Sequence, residues 1–418
     1  MASEKRRVVI TGAGLITAIG NDVVSNWDAL LSGVSGGATI TAFDPSELPV
    51  RFAAEVKNFD ATLHLDRKEV KRTDRFTQLA LVATAEAMEN AGFGEGGPDI
   101  PSDRFGVITG SGIGGITTLE QQHQVYLNKG PERVSPFFVP MFIADMAPGL
   151  ISMKYGAKGP NYSTQSACAS SAHAIGNAFE LIRRGVSDVI ITGGSESSVT
   201  PLTMAGFASM KAISFRNETP ETASRPFDAG RDGFVLGEGC GILVLEELEL
   251  AAARGADILA EVVGYGLSAD AYHMTAPAPE GKGAQRAMAL ALEDAGAQPT
   301  DVDYINAHGT STPLNDLSET QAIKKLFGDH AHQMVVSSTK SMTGHTLGAA
   351  GGVEGVITAL SLREGKIAPT INFSEPDPDC DLDYAHNKVV ERPLRLALSN
   401  SFGFGGHNVC LAIKRWEG

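Results

Sequence analysis

Cysteine is scarce in this chain: four thiols, Cys168, Cys240, Cys380 and Cys410, stand in 418 residues with no C-x-x-C pair among them. That argues against a disulfide framework or a cysteine-rich zinc site and fits a reducing compartment. Positive charge is also short. Lysine and arginine total 34 against 49 acidic residues, a formal net charge of −15, so neither nucleic acid nor an anionic membrane surface is an expected partner. Long apolar runs are missing too. The basic start at 1–7 leads straight into Val8-Val9-Ile10 without the apolar stretch of a secretory signal, and no segment has the length of a membrane span. The expected location is the cytoplasm.

Glycine, by contrast, is abundant, and much of it flanks the polar motifs, which points to tight turns and close backbone approach rather than disorder. Short β-branched runs alternate with longer amphipathic ones, the pattern of an α/β fold with buried strands. Strands are predicted at 7–11, 105–109, 188–192, 241–245, 260–264, 304–306, 335–337 and 409–413. Helices are predicted at 76–91, 169–184, 283–295, 318–327 and 352–363. Gly92, Gly185, Gly296 and Gly365 follow helical patterns as left-handed C-caps would. The stretch 83–110 reads helix, "ENAGFG", linker, "DRFGVITG", and 286–309 reads helix, "EDAGAQ", linker, "VDYINAHG". Two related halves, 1–255 and 256–418, are the simplest reading, although helix–glycine–strand units recur in any α/β chain.

Four clusters could carry chemistry. In Ser166-Ala167-Cys168-Ala169-Ser170-Ser171 a cysteine opens a helix of small residues, where free N–H groups and the helix dipole are expected to lower its pKa. A free cysteine can equally be a small core residue. His308, in Asn306-Ala307-His308-Gly309-Thr310-Ser311-Thr312, and His345, in Lys340-Ser341-Met342-Thr343-Gly344-His345, each follow a predicted strand, where α/β ligand sites form. The glycines of Asn400-Ser401-Phe402-Gly403-Phe404-Gly405-Gly406-His407 can bring N–H donors up to a developing oxyanion. Their spacing does not fit a dinucleotide fingerprint. Gly110-Ser111-Gly112-Ile113-Gly114-Gly115 lacks the lysine of a phosphate-binding loop.

Taken in order, "VVITGAGLITAIG" (8–20), "SACASSAHAIGNA" (166–178), "SRPFDAGRDGFVLGEG" (224–239), "DAYHMTAP" (270–277), "NAHGTSTPLND" (306–316), "SSTKSMTGHTLGAAG" (337–351) and "NSFGFGGHN" (400–408) resemble the β-ketoacyl-[acyl-carrier-protein] synthase family, its type II elongating members in particular, over nearly the whole chain. The resemblance implies a thiolase-like duplicated fold, layered α-β-α-β-α with two mixed sheets around buried helices. It implies a decarboxylating Claisen condensation of malonyl-acyl carrier protein with an acyl chain delivered by acyl-acyl carrier protein and held on Cys168, in a homodimer.

Carried over residue by residue, His308 and His345 would bind the malonyl thioester carbonyl, with Lys340 and its partner Glu354 behind them. The N–H groups of Cys168 and Phe404 would form the oxyanion hole, and Phe404 would also gate the site. Thr310 and Thr312 would bind the phosphopantetheine arm, and Ile113, Phe138 and Phe207 would line the acyl pocket. Lys71, Arg72, Arg133 and Lys211 would dock the acidic carrier, with Glu132 a departure from the basic pattern. His407 departs too, since many bacterial members carry Thr there. No cofactor of the enzyme's own is implied, the phosphopantetheine arriving on the carrier. Asn306, Glu354, Ser399 and Asn400 resemble a structural monovalent-cation site. A thiolase would need a second catalytic cysteine in C-x-G, whereas Cys410 sits in the apolar run 409–413. A type I-like synthase or a stand-alone polyketide ketosynthase, and a non-catalytic carrier-binding protein of the same fold, are the competing readings.

Overall fold

A computed structural model describes residues 6–418; the first five residues of the basic start lie outside the described residues. Ten strands form one mixed sheet: β1 (Val8–Ile16), β2 (Phe105–Gly110), β3 (Asn161–Thr164), β4 (Val189–Glu196), β5 (Gly239–Glu247), β6 (Ala260–Ala269), β7 (Tyr304–Asn306), β8 (Val335–Ser337), β9 (Leu396–Gly403) and β10 (His407–Arg415). Their spatial order is β8-β7-β9-β10-β6-β1-β5-β4-β2-β3. Each strand of β1 to β5 has its counterpart five numbers later. In both sets the second strand runs parallel to the third and fourth, and the fifth pairs antiparallel with the fourth and first.

The expected two sheets are therefore present as five-stranded halves, hydrogen-bonded edge to edge where Val8, Val9 and Ile10 of β1 face Val262, Glu261 and Ala260 of β6. Alternation along the strands creates the layers. Ile190, Leu243 and Leu245 point inward with Tyr304, Val409 and Leu411 onto a central pair of helices, α3 (Ser170–Arg183) and α6 (Ala350–Glu364). Their neighbours Ile191, Ile242 and Val244 point outward onto α1 (Arg75–Asn90). On the other half, Ile305, Leu398 and Ala412 meet α4 (Lys282–Ala295) and α5 (Pro313–Phe327). The remaining helix needed below, α2 (Ile116–Lys129), buries only Ile116 and Thr118.

Glycine decides how deep the central helices lie. A Cβ on Gly110 would fall 2.4 Å from the backbone of Ser170, and one on Gly241 would fall 2.3 Å from the backbone of Gly352. Side chains there would push α3 and α6 off the strands. The expected helix ends hold: Gly92, Gly185, Gly296 and Gly365 all have φ between +64° and +76°. Strand β3, β9 and the helix α2 carry no clear periodic signal and went unpredicted. β3 is a four-residue edge strand with exposed Asn161 and Tyr162, too short and too polar to alternate visibly.

Candidate active site

Cys168 sits two residues ahead of α3, just after Ala167, which holds a left-handed φ of +51°. A non-glycine residue in that region is strained and persists where its surroundings dictate it. The Ser170 hydroxyl supplies part of that constraint. It donates to the Ala167 carbonyl at 2.7 Å and accepts the Ser166 N–H at 2.9 Å. The thiol is buried, and His345 Nε2 lies 3.1 Å from its Sγ. The Cys168 sulfur and ring nitrogens of His308 and His345 all fall within 4.8 Å of one another. The two imidazoles meet edge to face, centroids 5.3 Å apart.

Each histidine is placed by backbone contacts from distant segments. The N–H groups of His308 and Gly309 donate to the two carboxylate oxygens of Glu319 on α5, at 2.9 and 2.8 Å. Asn400 Nδ2 donates to the same carboxylate at 3.0 Å. The His345 N–H donates to Val235 O at 2.7 Å, and its carbonyl accepts from Gly237 at 2.9 Å. The segment "GFVLGEG" thus cradles the second histidine. Neither Glu319 nor this cradle was anticipated; the cradle lies inside the quoted motif 224–239, whereas Glu319 falls three residues past the motif 306–316 and carried no signal of its own.

Electrostatics depart from the sequence expectation at the nucleophile. Burial pushes the Cys168 thiol up to about 12, opposed by Lys340 and by the N–H groups of Phe404 and of Cys168 itself. The helix begins too far along to reverse that, so the resting group is a thiol rather than the low-pKa thiolate expected. Burial, reinforced by the Lys340 charge, holds both His308 and His345 well below the ordinary imidazole range, so both are neutral. Lys340 contacts Glu354 Oε1 with both side chains 2% exposed. Burial lifts the Glu354 carboxyl to about 7 against the pull of that lysine.

A direct test follows from the sign of the Cys168 shift. Alkylation needs thiolate, so the rate of carbamidomethylation at Cys168 by iodoacetamide should climb about tenfold per pH unit between about pH 7 and 10, with no plateau. A plateau near neutrality would mean that the thiolate is already formed at rest.

The three groups open into a cavity of about 500 Å3 that Ile113, Phe207, Lys211, Thr310, Thr312 and Phe404 also line. Thr310 and Thr312 bring their hydroxyls within 3.0 Å of each other there. A larger cleft of about 1150 Å3, lined by Phe59, Arg75, Gln121 and Leu202, contains none of the predicted residues. We take the smaller cavity as the site because nucleophile and histidines converge in it. The Phe404 turn joins β9 to β10 and is held from outside: Gly405 N–H donates to Met274 O at 2.7 Å and Asp270 N–H to Gly406 O at 2.9 Å. Asn408 Nδ2 donates to Asp270 Oδ1 at 2.8 Å. His407, exposed, starts β10 with its ring over Gly405.

Some predicted residues are not brought together. Phe138 does not line the Cys168 cavity; it lies in a short helix, half-buried, its ring 5.9 Å from that of Phe142. Its segment packs beside α2, and within one chain Ile113 and Phe207 line the cavity without it. Lys71 and Arg72 are exposed, and Arg72 stacks over Phe137 at 4.6 Å, four residues from exposed Arg133. None of these three lines the cavity, whereas Lys211 does. At the cation positions, both amide atoms of Asn306, Glu354 Oε2 and Asn400 Oδ1 are buried without a hydrogen-bond partner among the described residues. Ser399 is buried as well.

A Cys-His-His set could also ligate zinc. Here the Lys340 charge and two N–H donors act at the place a cation would occupy, which disfavours it. A buried thiol with amide donors at its sulfur, two neutral imidazoles and an adjoining cavity suits nucleophilic acyl transfer followed by stabilisation of an enolate.

The comparisons agree with that chemistry. Residues 5–251 match "Beta-ketoacyl synthase, N-terminal domain" and residues 259–374 match "Beta-ketoacyl synthase, C-terminal domain". A curated relative from Synechocystis sp., "3-oxoacyl-[acyl-carrier-protein] synthase 2", is 55% identical over 414 residues, 99% of both chains. The crystal structure of a beta-ketoacyl synthase from Burkholderia phymatum superposes with a TM-score of 0.91 at 38% identity, covering 99% of this chain and 100% of that one. A ketosynthase structure solved with its type II polyketide acyl-carrier protein and a bound hexaketide gives a TM-score of 0.89 at 35% identity, over 99% and 100% of the two chains. Nucleophile, histidine pair and repeated half-sheet thus occur in a chain that both domain families cover, and the chain belongs to the beta-ketoacyl synthase family.

Proposed function

We propose that this chain is an elongating 3-oxoacyl-[acyl-carrier-protein] synthase, an acyltransferase of fatty-acid synthesis. The observation that carries the reading is Cys168 Sγ lying 3.1 Å from a neutral His345, with His308 beside it, at the end of one cavity. Cys168 sulfur attacks the thioester carbonyl of acyl-acyl carrier protein. The bond from the Cys168 sulfur to the acyl carbon forms and the acyl–pantetheine thioester bond breaks; His345 Nε2, 3.1 Å from Sγ, takes the Cys168 proton and passes it to the departing pantetheine sulfur, which leaves as the thiol and returns His345 to neutral. Malonyl-acyl carrier protein then occupies the vacated cavity. Its carbon–carboxylate bond breaks, CO2 departs and the electron pair becomes an enolate, its oxygen held by N–H groups of His308 and His345. That carbon attacks the acyl-Cys168 carbonyl, whose oxygen sits between the N–H groups of Cys168 and Phe404. The acyl–sulfur bond breaks as the 3-oxoacyl product forms, and the released thiolate takes a proton from solvent to restore the thiol.

In this reading burial keeps both imidazoles neutral, and Lys340, paired with Glu354, adds a positive field that acts in the same direction. Thr310 and Thr312 bind the arm of the phosphopantetheine that the carrier brings, and Ile113 and Phe207 bound the acyl chain. Lys71, Arg72, Arg133 and Lys211 meet the acidic carrier, complementarity that a chain of net charge −15 must supply locally. Asn306, Glu354, Ser399 and Asn400 hold a structural monovalent cation, which the unpartnered buried oxygens of Asn306, Glu354 and Asn400 support. The chain divides at 255/256 into a half carrying the cysteine and a half carrying the histidines, a division supported by the repeated strand order. Among the described residues no helix is long and apolar enough to cross a membrane; the four free thiols support a cytoplasmic location.

A homodimer belongs to the proposal. Strand β3 ends the sheet with Tyr162 exposed, and α2 and its neighbouring loop expose Tyr126, Leu127, Phe137 and Val139. An unpaired edge and an exposed apolar patch each favour pairing with a second copy. Light scattering at micromolar concentration should give twice the chain mass; a monomer would contradict it. Malonyl-acyl carrier protein mixed with acyl-acyl carrier proteins of graded length should yield 3-oxoacyl products two carbons longer than each primer. Absence of condensation with every primer would sink the reading.

A further inference from the structure

Glu196, at the end of β4, is wholly buried and has no role in the steps above. Its carboxylate collects donors from two separate loops. Oε2 accepts the N–H of Gly112 at 2.6 Å and that of Gly348 at 3.1 Å. Oε1 accepts the N–H groups of Ile113 at 3.3 Å and Gly114 at 3.4 Å, with hydroxyls of Ser198 at 3.0 Å and Ser111 at 3.3 Å. The first loop carries Ile113, part of the wall of the Cys168 cavity; Gly348 follows His345 by three residues.

The two loops touch only because both are glycine at the contact. A Cβ on Gly348 would fall 2.0 Å from Gly112 N, and one on either glycine would lie 2.8 Å from Glu196 Oε2. A carboxylate is the one side chain that accepts through two oxygens at once with no donor of its own. Burial disfavours its charge and the Gly112 N–H opposes that, so the group is retained at a cost that demands a use.

We infer that Glu196 is a positioning residue that clamps the Ile113 loop to the His345 loop and so sets how far an acyl chain can reach past Cys168. This rests on the acyl-transfer reading of the site, but it can be tested without condensation. The probes are N-ethylmaleimide and an N-alkylmaleimide with a long linear chain, with labelling at Cys168 followed by mass mapping. Wild type, Glu196→Gln, Glu196→Asp, Ile113→Ala and the Glu196→Gln/Ile113→Ala double variant are compared, with unfolding midpoints recorded for each.

Glu196→Gln keeps the volume but sets an amide donor against N–H donors. Glu196→Asp keeps the charge but cannot span both loops, and it serves if the glutamine variant is poorly folded. Each should raise the long-to-short ratio of labelling rates about threefold or more, and the double variant should fall short of the product of the single effects. A folded Glu196 variant with an unchanged ratio would overturn the inference, as would full multiplicativity with Ile113→Ala. If the variants shift the ratio as expected but the wild type never condenses, the proposed function fails while the clamp stands.

Discussion

Cys168→Ala should lose condensation by at least about 10^4-fold, because no other group can hold the acyl chain as a thioester. Cys240 and Cys410 are wholly buried in strands, and Cys380 lies in the α5 core, remote from both imidazoles. Stability should change little, by about 1 kcal/mol, for loss of one small buried side chain. The same variant separates the two halves of the reaction. His308 and His345 remain neutral donors facing the cavity, so release of CO2 from malonyl-acyl carrier protein should persist in Cys168→Ala and vanish in His308→Ala and His345→Ala. Radiolabelled CO2 release and product mass together check this. Full condensation by Cys168→Ala, with cerulenin adducts only on other cysteines, would refute the mechanism.

Lys340→Met is expected to be the second most damaging change, and for two reasons that a second variant pulls apart. The ammonium and the Glu354 carboxylate are both buried and paired. Removing one partner leaves an uncompensated buried charge, a loss of about 3–5 kcal/mol of stability. It also removes the positive field that adds to burial in holding His308 and His345 neutral and that lowers the cost of a developing thiolate at Cys168. Activity should fall by about 10^2-fold or more. The double variant Lys340→Met/Glu354→Met replaces the pair by apolar groups of similar length and should recover most of the lost stability. Condensation should stay low. If stability and activity recover together in denaturant titration and assay, the pair is only structural and its proposed electrostatic role is wrong.

Much of the fold could be read from patterns. Two strands, 304–306 and 335–337, fall where predicted, and the others predicted differ mainly by extension at their ends. Central strands buried on both faces are rich in Val, Ile and Leu, so their identity is local information. Edge strand β3 is not, and helix α2 lacks a continuous apolar stripe because most of it faces outward. Their stability comes from what they adjoin, which no window of sequence contains.

The site divides along the same line. By itself the sequence determined which atoms could do the chemistry: one cysteine before a helix, two histidines after strands and a glycine turn, residue types whose reactivity is intrinsic and whose order is specific. It also suggested a repeat, which the matching strand order of β1–β5 and β6–β10 displays. Only the tertiary structure decided their state and surroundings. Cys168 and His345 are 177 positions apart in the chain, and burial between them makes the resting group a thiol where the helix end alone suggested a thiolate. Phe138 left the pocket wall, while Glu319 and Glu196 emerged as anchors of the catalytic loops. Desolvation and long-range hydrogen bonding depend on what surrounds a group in space, and that is settled only when the two halves close on their shared central helices.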